Sequence, residues 1–146
     1  MIDALKFLAV VTGSLFAGAA LYINVAEHPA RMLLDTRSAV LQWALSYQRA
    51  TWLQAPLAVV SFIAGSAVWF SGGGFLWLVA AALIGAVVPF TFIGIMPTNH
   101  RLLSRTLDLN SDEARGLLVR WGYLHGVRTL LAVCAAALYS WLIVRA

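Results

Sequence analysis

Two short groups of polar residues interrupt an otherwise apolar chain, and their side chains could transfer protons or bind a metal. In the first group, Asn24, Glu27 and His28 have the spacing i, i+3, i+4, which places them on one face of a helix. Small residues continue that face toward the N-terminus and allow close helix packing in lipid, so the polar end is expected to point into the protein. Intramembrane ionisable groups are usually functional. The alternative is that Glu27 and His28 are interfacial residues beyond the end of a membrane span.

The second group repeats this spacing near the C-terminus. Trp121, His125 and Arg128 fall on one helical face, which continues through alanines. His125 and Arg128 lie deeper in the apolar stretch than a flanking charge requires, which favours a site. The alternative is that the Arg128 side chain extends to the headgroups and His125 caps a backbone carbonyl.

Two further groups are weaker candidates. Tyr47 and Gln54 lie on a third helical face, although such residues are common near the start of a helix. Asn99 and Arg101 follow Pro97, at the expected end of a span. Irregular backbone at membrane depth is tolerated only when it is buried in protein or lines a cavity. Asn99 could therefore orient a ligand, or simply satisfy exposed backbone groups.

The elements that position these groups follow from the distribution of charge. Hydrophobic residues make up 62% of the 146 residues, and charged residues only 11%. No Asp, Glu, Lys or Arg occurs from Phe7 to Ala26, from Ala50 to His100 or from Thr129 to Val144. A membrane-spanning helix needs about 20 apolar residues. The middle stretch is long enough for two spans, with a turn at Ser71–Gly74, so the sequence predicts four spans.

The predicted fold is all-α: an integral membrane four-helix bundle that runs up-down-up-down and forms a single transmembrane domain over residues 1–146. Pro29 predicts a break or bend at His28 and an additional interfacial helix between spans one and two. Pro97 is expected to end span three, and Asn110 to begin the last helix with Glu113 in a capping box. The predicted elements are Ala4–Glu27, the interfacial helix Pro29–Tyr47, Gln48–Phe70 with a kink at Pro56, Phe75–Met96, and a final helix from Asn110 to Val144.

In this topology one membrane face collects most of the positive charge. Eight of the ten basic residues lie on or near it, so the positive-inside rule predicts that this Arg-rich face is cytoplasmic and that both termini are on the other side. Because the arginines flank apolar spans, the net charge of +4 does not indicate a nucleic-acid partner. Four of these arginines are interpreted as plain flanking charge: Arg31, Arg37, Arg105 and Arg115.

The same topology brings the four polar groups together. They are expected to surround an apolar cavity rimmed by Glu, two His, Asn and Arg, which is the usual form of a small-molecule site. No nucleotide-binding loop, nucleophile elbow or zinc-ligand spacing is present in the sequence. The single Cys134 excludes a disulfide framework.

Three segments of the chain resemble the signatures of the anthrone oxygenase-like family. This family comprises small bacterial membrane proteins, mostly of unassigned function, and related fungal enzymes that oxidise anthrones to anthraquinones with dioxygen, without a classical cofactor. The resemblance implies a membrane-embedded oxidoreductase that acts on a lipophilic aromatic or phenolic molecule, with the inner (plasma) membrane of a bacterium as its expected location. The segments are Asn24-Val-Ala-Glu27-His28-Pro29-Ala30-Arg31, Pro97-Thr98-Asn99-His100-Arg101-Leu102 and Trp121-Gly-Tyr-Leu-His125-Gly-Val-Arg128.

The resemblance also implies roles for the matching residues. Oxidation would begin with removal of a carbon-bound proton from the substrate by His125 or His28, and Glu27 would orient the imidazole of this base. Arg128 and Asn99 would stabilise the oxygen of the enolate that forms. Further residues are expected to contact the substrate: Asn24, Trp121, Tyr47, Gln54 and Arg101.

Two other functions stay open at the level of sequence. His28, His125 and Glu27 could instead bind haem or a transition metal, since imidazole suits Fe, Cu and Zn. The protein could also be a non-enzymatic module that binds a lipophile or a partner helix. The expected partners are the lipid bilayer and a lipophilic small molecule, and the chain could form an oligomer.

Overall fold

The computed structural model describes residues 1–145 and consists of four long helices joined by short connections. No strand occurs among the described residues. Each helix is long and apolar enough to cross a membrane. The prediction of an all-α protein with four such helices is therefore confirmed. The helices are α1 (Ile2–Arg31), α2 (Thr36–Gly73), α3 (Phe75–Leu102) and α4 (Asp112–Val144).

The four helices pack side by side, and α1 and α2 run in opposite directions. α1 packs against α2 and α4, and α3 packs against the same two helices. Ser46, near the start of α2, contacts Glu27 near the end of α1, whereas Ser61 contacts Ala9 near the start of α1. α1 and α2 are therefore antiparallel. The passage of the four helices up and down through a bilayer stays a prediction.

Two prolines that were predicted to break helices lie inside them instead. The π-helical turn Ile23–Glu27 precedes Pro29 in α1, and the π-helical turn Thr91–Ile95 precedes Pro97 in α3. Each proline follows the point where i→i+5 hydrogen bonds give way to i→i+4 bonds, so the missing N–H is tolerated. α1 therefore continues through His28 to Arg31, and α3 continues to Leu102.

The separate interfacial helix is also absent from the described residues. Residues 32–35 form a short turn, and a single α-helix then runs from Thr36 to Val68 with Pro56 inside it. The Asp35 carboxylate starts this helix by accepting a hydrogen bond from Ser38 N at 3.0 Å. Hydrogen bonding by Ser38 lowers the pKa of Asp35, which keeps the cap ionised. No residue between the cap and Pro56 interrupts the helix, so it passes through the predicted boundary at Tyr47.

The N-cap of the last helix is Ser111, one residue after the predicted Asn110, and the helix itself begins at Asp112. Ser111 caps α4 by accepting a hydrogen bond from Ala114 N at 3.1 Å. Glu113 is not part of a capping box, because it pairs with Arg101 of α3. By contrast, the predicted turn between spans two and three is confirmed: Gly72 and Gly74 have φ angles of 88° and 91°, which other residues rarely adopt.

The bundle has one tightly packed half and one half that contains a cavity. In the packed half, Phe16, Val68 and Tyr139 are fully buried in one apolar cluster. The Tyr139 hydroxyl donates to Ser61 O at 3.2 Å, and Ser61 Oγ donates to Ala9 O at 3.0 Å, which ties α4 to α2 and α2 to α1. The cavity lies toward the other end of the bundle, where residues of the predicted polar groups, among them Asn99, His125 and Arg128, line it.

Candidate functional site

The cavity has a volume of about 140 Å³ and receives side chains from all four helices. Most of its wall is apolar, and its polar groups come from a few residues of each helix. Such a wall suits an apolar ligand that carries a small number of polar atoms. The polar and aromatic residues that line it are Arg31, Trp43, Ser46, Tyr47, Thr51, Gln54, Thr91, Phe92, Asn99, Trp121, His125 and Arg128.

Asn24 fixes the orientation of His125. Asn24 Nδ2 donates to Gly122 O at 3.2 Å, which sets the direction of the amide and leaves Oδ1 as the acceptor. His125 Nδ1–H donates to that Oδ1 at 2.6 Å, and the Thr129 hydroxyl donates to it at 2.6 Å as well. In the neutral imidazole one nitrogen carries the proton. Nε2 of His125 is therefore the nitrogen with a free lone pair.

Arg128 brings to this cavity a positive charge that no carboxylate of the described residues pairs with. Its guanidinium lies over the Phe16 ring, with Cζ 4.9 Å from the ring centroid. Its Nε atom is buried and has no hydrogen-bond partner in the part of the chain that the structure describes. The ion pairs among residues 1–145 do not include Arg128. An unneutralised cation in apolar surroundings favours a ligand with a negative or strongly polar oxygen.

Asn99 is the second polar group on this wall with its hydrogen-bonding capacity unused. The residue is completely buried, and neither Nδ2 nor Oδ1 has a partner among the described residues. A buried amide without partners is unfavourable, so it is expected to bind a group that enters the cavity. Asn99 can donate one hydrogen bond to an oxygen and accept another from a hydroxyl.

Trp121 joins the two histidines, which face different spaces. The His125 ring stacks on the indole at 4.7 Å between centroids, and the His28 ring contacts it at 5.3 Å. His125 lines the cavity, whereas His28 lines a separate groove beside Gly122. His28 Nδ1 accepts a hydrogen bond from Arg31 Nη1 at 3.3 Å, so its lone pair is already used. The structure does not place His28 as a base in the cavity.

Glu27 also lies outside the cavity. It accepts a hydrogen bond from Arg31 Nη2 at 2.5 Å and further hydrogen bonds from Ser46 and from Gln42, the latter at 3.4 Å. The prediction that Asn24, Glu27 and His28 share one face assumed α-helical geometry. The π-helical turn Ile23–Glu27 has more residues per turn, so Asn24 points toward α4 and Glu27 toward α2.

The substrate-contact residues predicted from the sequence divide into three groups. Trp121, Tyr47 and Gln54 line the cavity. Asn24 does not line it, but positions His125 from behind. Arg101 does not line the cavity and forms an ion pair with Glu113 at 2.6 Å, with 41% of its side chain exposed. The ionic partner in α4 holds Arg101 at the surface, so the structure does not support a substrate contact for it.

Arg31 is the site residue that the sequence interpretation missed. It was taken as flanking charge, yet only 3% of it is exposed, and its guanidinium lies 5.7 Å from the centroid of the Trp121 ring. It lines the cavity and is neutralised by Glu27. The spacing i, i+4 from Glu27 was the available signal, because such pairs form ion pairs on helices.

The arrangement of histidines does not fit a metal or a bis-histidine haem. His28 and His125 line different spaces and both contact Trp121. The Glu27 carboxylate is occupied by Arg31 and Ser46. Within the part of the chain that the structure describes, no cluster of three His, Cys, Asp or Glu residues could hold a metal ion. The chemistry that fits the cavity is proton transfer by His125 beside a cation and an amide.

Comparisons with known proteins place the chain in one family. The model of the family described as Anthrone oxygenase matches residues 43–138. The chain is 31% identical to anthrone oxygenase tpcL of Aspergillus fumigatus over 142 residues, which cover 89% of this chain and 87% of the relative. It is 27% identical to anthrone oxygenase AgnL2 of Paecilomyces divaricatus, with 90% of each chain covered. It is 28% identical to an anthrone oxygenase of Claviceps purpurea, with 88% and 82% covered. No solved structure matches. The chain therefore belongs to the anthrone oxygenase family.

Proposed function

We propose that the chain is a membrane-embedded oxygenase that converts the reactive CH₂ group of an anthrone-like, lipophilic phenol to a ketone with dioxygen. One observation carries this proposal: His125 Nε2, the Arg128 guanidinium and the Asn99 amide all belong to the wall of one apolar cavity, and none of them has a side-chain partner among residues 1–145. A base, a cation and an amide donor are the groups that enolate formation requires.

The first step would be removal of a proton from the CH₂ carbon by His125 Nε2. Asn24 supports this step because it accepts the Nδ1–H hydrogen bond, which fixes the tautomer and stabilises the imidazolium that forms. The electron pair left on carbon is delocalised onto the ketone oxygen of the anthrone. Arg128 and Asn99 Nδ2 would bind this oxygen, and their interaction strengthens as its charge develops.

Dioxygen would then react with the electron-rich carbon. Carbon and oxygen form a bond, and a proton from the His125 imidazolium gives a hydroperoxide on the former CH₂ carbon. Removal of the remaining C–H proton by His125 and cleavage of the O–O bond release water and leave a ketone. The balance is CH₂ plus O₂ to C=O plus H₂O, so the substrate supplies all four electrons and no external reductant is needed.

The experiment is oxidation of dihydroxyanthrone by the purified protein in phosphatidylcholine nanodiscs, corrected for the spontaneous reaction. We expect one dioxygen to be consumed per dihydroxyanthraquinone formed. With isotopically labelled dioxygen, the new carbonyl should carry one labelled oxygen. Treatment with a chelator should leave the rate unchanged.

Two results would contradict the proposal. A rate equal to the spontaneous rate would remove the oxygenase function and favour a non-enzymatic binding module. Stoichiometric metal or haem in the purified protein, with activity lost on its removal, would favour a metal-dependent redox protein instead.

A further inference from the structure

We infer that the substrate enters the cavity sideways, through an opening between α2 and α3, and that the cavity encloses only one ring while the rest of the substrate lies in that opening. This inference rests on the proposed function, because it concerns the same cavity and a lipophilic aromatic substrate. The inference adds two points to the proposed function: the route by which the substrate enters, and the part of the substrate whose shape the cavity discriminates.

The position of the opening follows from which cavity residues are exposed. Four of the residues that line the cavity are exposed: Thr51 and Ala55 on α2, and Val88 and Phe92 on α3. Phe92 is 64% exposed. The residues contributed by α1 and α4 are buried or half-buried. The wall is therefore incomplete on the side where α2 faces α3.

Both ends of the cavity along the bundle are closed by packed side chains. Trp43 and Arg31 close one end, with 0% and 3% of each residue exposed. Ala58 and Val87 close the other end, and each is 1% exposed. A ligand that came along the bundle axis would have to displace these side chains. The lateral opening requires no such displacement.

The residues around the opening present an apolar surface. The Thr51 hydroxyl donates to Tyr47 O at 2.9 Å, and the Thr91 hydroxyl donates to Val87 O at 2.6 Å, so both hydroxyls are satisfied by their own helices. The facing segments of α2 and α3 belong to the stretch from Ala50 to His100 that contains no Asp, Glu, Lys or Arg. A rim of this kind favours entry from lipid over entry from water.

The size of the cavity indicates how much of the substrate it encloses. A cavity of about 150 Å³ holds one benzene molecule. The volume here is about 140 Å³, so the enclosed space fits one aromatic ring. A three-ring molecule must then extend through the opening. Substituents on the enclosed ring would be discriminated by shape, whereas substituents on the distal ring would be tolerated.

A test of this inference compares matched variants in phosphatidylcholine nanodiscs. Ala55→Trp places an indole at the opening, and Ala137→Trp places the same group on the exposed face of α4, away from the cavity. Two probes are used: dihydroxyanthraquinone, detected by its visible absorbance, and phenol, detected by competition. We expect Ala55→Trp to weaken dihydroxyanthraquinone binding by about tenfold or more, in the range of steric discrimination by pockets. Phenol binding should change less than about twofold in the same variant, and Ala137→Trp should behave as wild type.

A second variant acts in the opposite direction. Phe92→Ala widens the opening, so it should bind a quinone with a bulky alkoxy group on one ring more tightly than wild type does. Equal dihydroxyanthraquinone binding by Ala55→Trp and Ala137→Trp would overturn the lateral route. Parallel loss of phenol and quinone binding in Ala55→Trp would also contradict it, because the enclosed ring site would then depend on that residue. Both measurements record binding alone, so they separate this inference from a failure of the proposed oxidation.

Discussion

At the scale of single residues, the hydrogen bond between Asn24 and His125 determines the chemistry that is available. Because His125 Nδ1–H is donated to Asn24 Oδ1, the basic nitrogen is Nε2. Histidine was identifiable from the sequence by its depth in an apolar span. Asn24, which orients His125, was instead predicted to contact the substrate. Its position in the sequence could not show that its side chain faces α4.

Replacement of His125 by glutamine tests the base. Glutamine can retain a hydrogen bond to Asn24, but an amide does not accept a proton near neutral pH. We expect His125→Gln to fold normally and to lose dihydroxyanthrone oxidation by more than about tenfold, the low end of what a general base supplies. His100→Gln is the matched control, since His100 is exposed and lies outside the cavity. Wild-type activity in folded His125→Gln would exclude His125 as the base.

Replacement of Arg128 tests stabilisation of the developing oxygen charge. Arg128→Gln keeps a hydrogen-bond donor but removes the positive charge from the cavity wall. Loss of one such group lowers kcat by about 10²-fold or more, and we expect a decrease of that order with a smaller change in KM. Arg120→Gln on the same helix removes an exposed arginine and should have little effect. The rates are measured by oxygen uptake. Equal kcat values for the two variants would show that Arg128 has no role in the chemical step.

At the scale of elements, the sequence predicted which segments are helices but not how they end. Charge-free stretches of the right length identified four helices, and glycine identified the turn before α3. Proline was a poor guide to where the helices end. Pro29 and Pro97 each follow a π-helical turn, and the helix continues there although proline lacks an N–H donor. A π-helical turn also changes the direction of the side chains, which is why Glu27 points toward α2 while Asn24 and His28 face α4. Sequence spacing alone does not reveal where i→i+5 hydrogen bonds occur.

The contact between α1 and α4 depends on the glycine at position 122. A Cβ atom there would overlap His28 Nε2 and Cδ2. We expect Gly122→Ala to destabilise the protein by about 1–3 kcal/mol, the usual effect of overpacking. Gly116→Ala on the same helix is the control, because a Cβ at that position meets no atom within 4 Å. Reversible unfolding in mixed detergent micelles would give both free energies. Equal stability of the two variants would mean that His28 moves aside at little cost.

At the scale of the whole molecule, the cavity lies in the half of the bundle toward the Arg-rich face. Eight of the ten basic residues flank this face, so we expect it to be cytoplasmic and both termini to be on the opposite side. Reporter fusions at the C-terminus and after Asp108 would test this topology. The fusion after Asp108 should report a cytoplasmic location, and the C-terminal fusion a non-cytoplasmic one. A cytoplasmic signal from the C-terminal fusion would contradict the prediction.

The Arg128 guanidinium, which forms no ion pair with any described residue, also has a consequence for the thermal stability of the protein. A half-buried charge in apolar surroundings without a counter-ion makes the native state less stable than its packing alone would allow. A ligand with a negative oxygen would neutralise this charge. Because such a ligand binds only the native state, it would increase the free energy of unfolding and raise the melting temperature. At a free concentration 100 times the Kd, the stabilisation is about 2.7 kcal/mol. A phenolate should therefore raise Tm more than a neutral arene of the same shape, and Arg128→Gln should abolish the difference. The melting temperature would then serve as a screen for the natural substrate that does not depend on catalysis.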